Sequence, residues 1–448
     1  MIRRPSEEAP GRVQSRDFGG LPIKKASPRP GICPGLTPVP VRVQTVRRVA
    51  GDRMSAKIAI VGGGPSGCYT AQALLKRAPD LEVDIIDALP VPYGLVRYGV
   101  AADHQGTKGV ARQFARIFTR QNAQFFGNLR IGRDVTLEAL RRAYDVVVLA
   151  AGLPGDRPLG IPGDDLPGVI GSGALTRALY EHPDAEALPE LGEAPLVIGT
   201  GNVAVDILRL LAKTPEELSG SDLGAGPSDW LAAQKIRQIT VVGRSSAAAA
   251  RFSPVMIKEL AELSRVDLRL AAGGSDAGEV LAAAVAGSAG PLPIDFRFES
   301  RPVALEPLGD GLQLTVETPR GRETIAASSV ISAIGFTGDG SFDRDGLLAE
   351  AGGAARLYAA GWFRTGPVGA IPQCREEGQR LAQQILDEVQ PDPARIGRAL
   401  FAGRAGITDF DHWQHLDALE LAGATDQRCR RKISRRDDML RPANLQDA

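Results

Sequence analysis

Cysteine is scarce in this 448-residue chain, and the four that occur, Cys33, Cys68, Cys374 and Cys429, never fall at C-x-x-C spacing. That excludes a dithiol redox motif, a zinc ribbon and a ferredoxin-type cluster, so any redox chemistry has to come from a bound organic cofactor, and no metal site is expected. Aromatic residues are only 5% of the chain, and apolar runs such as VVVLAA at residues 146–151 fall far short of the roughly 20 residues a membrane span requires. A soluble protein without membrane insertion is expected, and the sparse cysteines suit a reducing compartment, the cytoplasm or a mitochondrial matrix. Net charge is missing too: 53 Lys and Arg balance 53 Asp and Glu, which argues against a nucleic-acid partner. The balance is uneven, because residues 1–53 carry 11 basic and 4 acidic groups while the remainder carries 42 and 49, a net of −7.

Glycine (52) and proline (32) are plentiful, so the chain is turn-rich, and its length exceeds what one hydrophobic core usually serves. Residues 1–53 hold eight prolines and no sustained periodicity, and read as a disordered N-terminal extension upstream of Met54. Their basic, acid-poor makeup also matches an organellar presequence, but the proline spacing forbids the amphipathic helix such a segment needs. Near the other end, residues 428–436 (RCRRKISRR) place six basic groups in nine positions. This is either a docking patch for an acidic partner or a solvated terminal segment.

From Lys57 the pattern becomes regular. KIAIVGG reads as a strand, residues 65–76 as a helix with Pro65 at its start, and residues 82–87 (EVDIID) as the next strand. A helix is expected near 107–122 and a strand at 144–151. The same unit recurs with a strand at 195–199, a helix at 202–212 and a strand at 238–243, interrupted by what reads as a polar insertion at 215–236. Strands at 295–300, 311–318, 328–334 and 357–361 and a helix at 373–389 follow. The expected class is α/β, with two Rossmann-like, doubly wound nucleotide-binding domains.

Gly62-x-Gly64-x-x-Gly67 stands between the first strand and helix, with Asp87 ending the second strand. The first glycine allows the tight turn, the second lets backbone approach a pyrophosphate, and the third lets helix and strand pack closely. Asp87 would accept from a ribose 2′-hydroxyl and repel a 2′-phosphate, so this loop suits FAD or NAD. Gly199-x-Gly201-x-x-Ala204 repeats the device around Asn202 and Val203, but its second strand ends in Gly243-Arg244, and a guanidinium there suits the 2′-phosphate of NADPH. Two such sites of opposite 2′ preference imply hydride transfer from NADPH to a flavin.

Residues 91–104 (VPYGLVRYGVAADH) and 360–371 (AGWFRTGPVGAI) are more specific. With IPGDDLPGV at 161–169, VVGR at 241–244, IKELAEL at 257–263 and SAIGF at 332–336, they resemble the adrenodoxin reductase type of ferredoxin–NADP reductase. The resemblance implies a split FAD domain, residues 54–152 and 330–448, with an NADP domain inserted at 153–329. It implies FAD contacts at Ser66, Asp87, Leu95 and Val135, and a flavin ring lined by Gly361, Trp362, Gly369, Ala370 and Ile371. NADP contacts fall at residues 201–204, Arg244, Glu259 and the backbone near Gly369, with Ser245 offering a hydroxyl. His104 and Glu262 are the implied catalytic pair, for proton exchange and a water relay. The implied partner is a ferredoxin or similar small iron–sulfur protein that takes electrons singly.

The chain departs from the family where a second arginine normally follows Arg244: Ser245 stands there, and residues 246–251 (SAAAAR) and 372–375 also differ. Losing one charge-assisted donor costs about 1–3 kcal/mol of preference for NADPH. A flavin subunit of the glutamate-synthase kind shares both loops but carries cysteine-rich segments near its N-terminus, where residues 1–56 hold only Cys33. A non-catalytic dinucleotide-sensing protein is the alternative outside enzymes.

Overall fold

The run at residues 57–61 forms a strand whose alternate side chains face opposite ways: Ile58 and Ile60 join one buried cluster, and Ala59 and Val61 another. A strand buried on both faces belongs inside a parallel sheet covered by helices. In the computed structural model, which describes residues 55–271 and 278–441, it is the central strand of five parallel ones. Their order is Leu357–Ala359, Val146–Leu149, Lys57–Val61, Glu82–Ile86 and Ala123–Phe126. The expectations for residues 1–53 lie outside the described residues.

A second sheet of six parallel strands runs in the order Val169–Gly171, Val330–Ser332, Leu196–Ile198, Ile239–Val242, Leu292–Arg297 and Val266–Leu270. Helices, among them Asn202–Ala212 and Pro254–Ala261, bury one of its faces. An antiparallel sheet of Arg301–Leu308, Gly311–Thr318 and Gly321–Ala327 covers the other, packing Leu305, Leu314 and Val316 on Leu196, Ile198 and Val330. The expectation of two Rossmann-like α/β lobes holds, the second with an antiparallel sheet in place of one helix layer. Among the described residues no helix is long and apolar enough to cross a membrane.

Three expectations change. The strand Val330–Ser332, assigned from sequence to the flavin domain, pairs on both sides within the second sheet. An apolar strand carries no mark of which sheet it joins, because its partners are distant in sequence. The chain leaves the second lobe only afterwards, where Phe336–Thr337 pairs antiparallel with Gly155–Asp156, so its exit and entry strands form one two-stranded ribbon. The stretch 215–236 is no mere polar insertion: it contains the helix Ala225–Ala233 and buries Leu218, Leu223, Leu231 and Ile236. The helix expected at 107–122 is divided into Gln105–Lys108 and Ala111–Thr119.

The basic stretch 428–436 is bound into the fold through Arg430, Lys432 and Arg436, while Arg431 and Arg435 stay exposed. Its backbone is tied to the second lobe, with Gly220 donating to Gln427 O (2.8 Å) and Cys429 to Ser221 O (2.9 Å). Arg430 lies 2.7 Å from Asp417 and 3.1 Å from Glu420, and Arg436 2.8 Å from Asp184. Lys432, fully buried, donates to Tyr180 O and lies 3.2 Å from Asp222, whose other oxygen accepts from Lys108 at 2.7 Å. One carboxylate thus holds two ammonium groups from two segments of the first lobe. Burial pushes Asp222 up, but Lys432 and Lys108 outweigh it and keep the carboxyl below its usual range. Burial, aided by Lys432, pushes Lys108 down to about 7.

Replacing Asp222 by Asn leaves both ammonium groups buried without a countercharge. A loss of about 3–5 kcal/mol is expected, read as a lower denaturant midpoint with an unchanged slope. The unfolded chain binds more protons than the folded one between about pH 7, where Lys108 titrates in the fold, and the ordinary lysine range. This group's contribution to stability therefore rises with pH across that window, and the slope disappears in Lys108→Met.

Candidate functional site

Each glycine of the first loop has a separate steric reason. Gly62, at φ +114°, would place a Cβ 2.3 Å from Ala150 O, and Gly67 would place one 2.0 Å from Gly62 O, so neither position admits a side chain. Gly64 has nothing within 4 Å of its Cβ direction, leaving open space beside the start of the helix Pro65–Arg77. No side chain caps that helix, and its first-turn amides face this opening, an arrangement that fits a pyrophosphate. Asp87 accepts from Gly63 N at 2.7 Å and Leu89 N at 2.8 Å. Burial raises its pKa against these two donors.

The second loop has the same geometry. Gly199, at φ +126°, would place a Cβ 2.3 Å from Ala333 O, Gly201 faces open space, and Ala204 is buried against the sheet. Gly62 N donates to Ile86 O at 2.7 Å and Gly199 N to Val242 O at 2.9 Å, so both turns are pinned to the neighbouring strand in the same way. Asn202 accepts from Ser253 N through its side chain (2.8 Å), and Val203 packs partly buried against the core. Arg244 and Ser245 follow the strand Ile239–Val242 at the surface, and no carboxylate pairs with Arg244 among the described residues.

Two helix N-termini meet beside the first loop. Gly378 lets the helix Ile371–Glu388 cross Pro65–Arg77 closely, because a Cβ there would lie 2.9 Å from Thr70 N. Cys374 Sγ donates to Ala370 O at 3.8 Å, and the Ser66 hydroxyl occupies the place a Cβ on Gly361 would take. Gly361 N donates to Glu377 (2.9 Å), and Trp362 stacks on Phe336 of the ribbon with centroids 5.4 Å apart. Gly369 has φ +99°, and Ala370 N donates to Gln373 at 2.5 Å, which turns the chain into the helix at Ile371. Leu95 is exposed on the loop side; the Val135 side chain is buried in the core, so only its backbone is left to meet a ligand.

His104 reaches from the first lobe to the second. Its Nε2 lies 3.4 Å from Glu259 Oε2 and its Nδ1 3.9 Å from Asp206 Oδ1. Arg209 lies 2.9 Å from Asp206 and 3.5 Å from Glu259, and also pairs with Asp103, which Lys213 contacts at 2.5 Å. Burial pushes Asp206 up to about 6, opposed by His104 and Arg209. The structure brings Glu259 into this group but not Glu262, which caps the helix C-terminus, is 64% exposed and pairs with Lys258. Three residues along a helix is a 60° offset, and the helix ends at Ala261, so the second carboxylate turns to solvent. Sequence reasoning missed Asp206, Arg209 and Glu377. The signal for the first two was two charges inside the otherwise apolar helix NVAVDILRLLA.

The family model for pyridine nucleotide-disulphide oxidoreductases matches residues 56–357. Curated relatives include cindoxin reductase of Citrobacter braakii, 40% identical over 411 residues covering 84% of this chain and 88% of that protein. The mitochondrial NADPH:adrenodoxin oxidoreductase of Homo sapiens is 31% identical over 453 residues, 86% of this chain and 91% of that one. Among solved structures, FprA of Mycobacterium tuberculosis in complex with NADPH aligns with a TM-score of 0.80 at 28% identity, over 87% of this chain and 100% of that chain. The chain belongs to the pyridine nucleotide-disulphide oxidoreductase family, among its reductases of the adrenodoxin reductase type.

Proposed function

We propose that the chain is an NADPH-dependent flavoprotein, a ferredoxin–NADP reductase that passes electrons from NADPH through FAD to a small iron–sulfur protein. The observation that carries this is the pair of glycine loops of one geometry, followed by an acid in the first lobe (Asp87) and an arginine in the second (Arg244). The flavin lobe is residues 54–152 and about 338–448, and the NADPH lobe lies between, bounded by the ribbon of Gly155–Asp156 and Phe336–Thr337. Free Cys68, Cys374 and Cys429 fit the cytoplasm.

When bound, FAD supplies a centre that takes the electron pair of a hydride and gives it up one electron at a time. The chain's own groups orient and shield it. Gly62, Gly64, Ser66 and Gly67 hold the pyrophosphate, Asp87 the ribose, and Leu95 with the Val135 backbone the outer parts. The amides of Gly369 and Ile371, at the positive end of an 18-residue helix, would stabilise the ring edge that gains negative charge, the Ala370 amide being held by Gln373. Trp362 on Phe336 keeps water from the ring, while residues 199–204 seat NADPH and Arg244 with Ser245 reads its 2′-phosphate. His104 Nε2 exchanges a proton with Glu259 Oε2; that side chain is 41% exposed and links the junction to solvent.

The 428–436 stretch is a weaker candidate for the partner surface, because Arg430, Lys432 and Arg436 are paired within the fold. Lys76, Arg77 and Arg375 instead line a cavity of about 580 Å³ with Tyr69 and Gln113, with Lys76 and Arg77 in the last turn of the helix Pro65–Arg77, whose first turn opens on the glycine loop. Ferredoxins are generally acidic, and such a basic surface on the flavin lobe steers them despite the body's net negative charge.

Three outcomes test this reading. Gly64→Ala should fold, since its Cβ direction is open, yet purify with less than half the flavin of the wild type by absorption, whereas Gly67→Ala should fail to fold stably. Arg244→Ala should raise the KM for NADPH about tenfold or more and leave NADH nearly unchanged; equal effects would show that it reads something else. Lys76→Glu with Arg77→Glu should slow ferredoxin-dependent cytochrome c reduction about tenfold and spare ferricyanide reduction, which needs no docked protein. If both activities fall together, the surface is not a docking site.

A further inference from the structure

Arg251 ends the stretch in which this chain departs from its family's usual pattern, and the structure places it on the second glycine loop. Its backbone N donates to Thr200 O at 2.9 Å, and Arg251 pairs in parallel register with Gly201. Two residues on, Ser253 N donates to the Asn202 side chain at 2.8 Å. The segment is therefore strapped to the loop on both sides of Gly201, the glycine whose Cβ direction meets nothing within 4 Å. That is the opening through which backbone approaches a pyrophosphate.

The Arg251 side chain is exposed and has neither a hydrogen bond nor an ion pair among the described residues. The loop has no other uncommitted cation. The helix Asn202–Ala212 carries no capping side chain, and its one basic residue, Arg209, is spent on Asp103, Asp206 and Glu259. Arg244 lies elsewhere, past the end of the strand Ile239–Val242, where the 2′-phosphate is read. An unpaired guanidinium anchored at the edge of an anion cradle gains most by closing on the phosphates, because its fork matches their oxygens and it gives up no partner to do so.

We propose that Arg251 is a specificity-independent clamp on the coenzyme's pyrophosphate, dividing labour with Arg244: Arg244 reads the 2′-phosphate and Arg251 holds the diphosphate that NADPH and NADH share. This rests on the reading of the second loop as the coenzyme site. It accounts for how a chain with serine in place of the second arginine keeps two cations at that site.

The test uses the FAD-loaded full chain. Arg251→Ala should raise the KM for NADPH and for NADH by a similar factor, about ten- to a hundredfold, and raise the dissociation constant of NADP+ by the same factor in calorimetric titration. Binding of adenosine 2′-monophosphate, which lacks the diphosphate, should not change, and Arg251→Lys should recover part of the loss. An effect confined to NADPH, with weaker adenosine 2′-monophosphate binding, would make Arg251 a second reader of the 2′-phosphate and overturn the proposal. So would unchanged constants in a variant whose wild type binds NADP+. Absence of NADP+ binding by the wild type would instead overturn the reading of the site itself.

Discussion

At both nucleotide loops the first glycine lies beneath the last carbonyl of the adjacent strand, Ala150 O for Gly62 and Ala333 O for Gly199, so closely that a Cβ would stand 2.3 Å from the oxygen. That contact sets the turn, the turn sets where the helix begins, and the helix's unsatisfied amides then open onto the C-terminal edge of a parallel sheet. Everything placed at that edge, including Asp87, Arg244 and the meeting of the helices at residues 65 and 371, takes its position from this close approach. In the first lobe, where a third glycine follows, the helix also presses onto the loop itself, with Gly67 against Gly62 O. Alanine suffices at position 204 because that helix packs onto the sheet without the same squeeze.

Polar contacts carry much of the junction between the two lobes, beside the burial of Ala101 and Ala102 in the second lobe's core. The ribbon of Gly155–Asp156 and Phe336–Thr337 is the covalent crossing. Beside it, Asp103 draws Arg209 and Lys213 from the second lobe, and Asp222, whose backbone N donates to Ala102 O at 3.0 Å, draws Lys108 and Lys432 from the first. Buried ion pairs contribute little net stability compared with apolar packing, but they are directional, and mispairing leaves an uncompensated charge. They therefore fix the register in which His104 meets Glu259. Phe336 adds to this, since it belongs to the crossing strand and stacks on Trp362 of the first lobe.

Local patterns were legible in the sequence because they report local physics. Alternating and continuous apolar runs marked the strands, glycine spacing marked both loops, and an acid or an arginine was visible at the end of each second strand. All of these depend on neighbours within about thirty positions, the span of one βαβ unit. The same reading went astray where long-range pairing decides: nothing in an apolar strand at 330–332 says which sheet it will join, and nothing in RCRRKISRR says which of its cations will find a buried carboxylate.

Sequence alone determined the fold class, the two dinucleotide loops and the opposite charges beside them, since each is set by sterics and hydrogen bonding within a single supersecondary unit. Tertiary structure alone decided that Glu259 rather than Glu262 joins His104, that Asp206 and Arg209 complete that group, that the basic tail is a strap, and that Arg251 lies on the second loop. Those outcomes depend on where a helix ends, which face it turns inward and which distant charge it meets. These are properties of packing among segments more than three hundred residues apart, as with Arg97 and Glu420, separated by 323 positions.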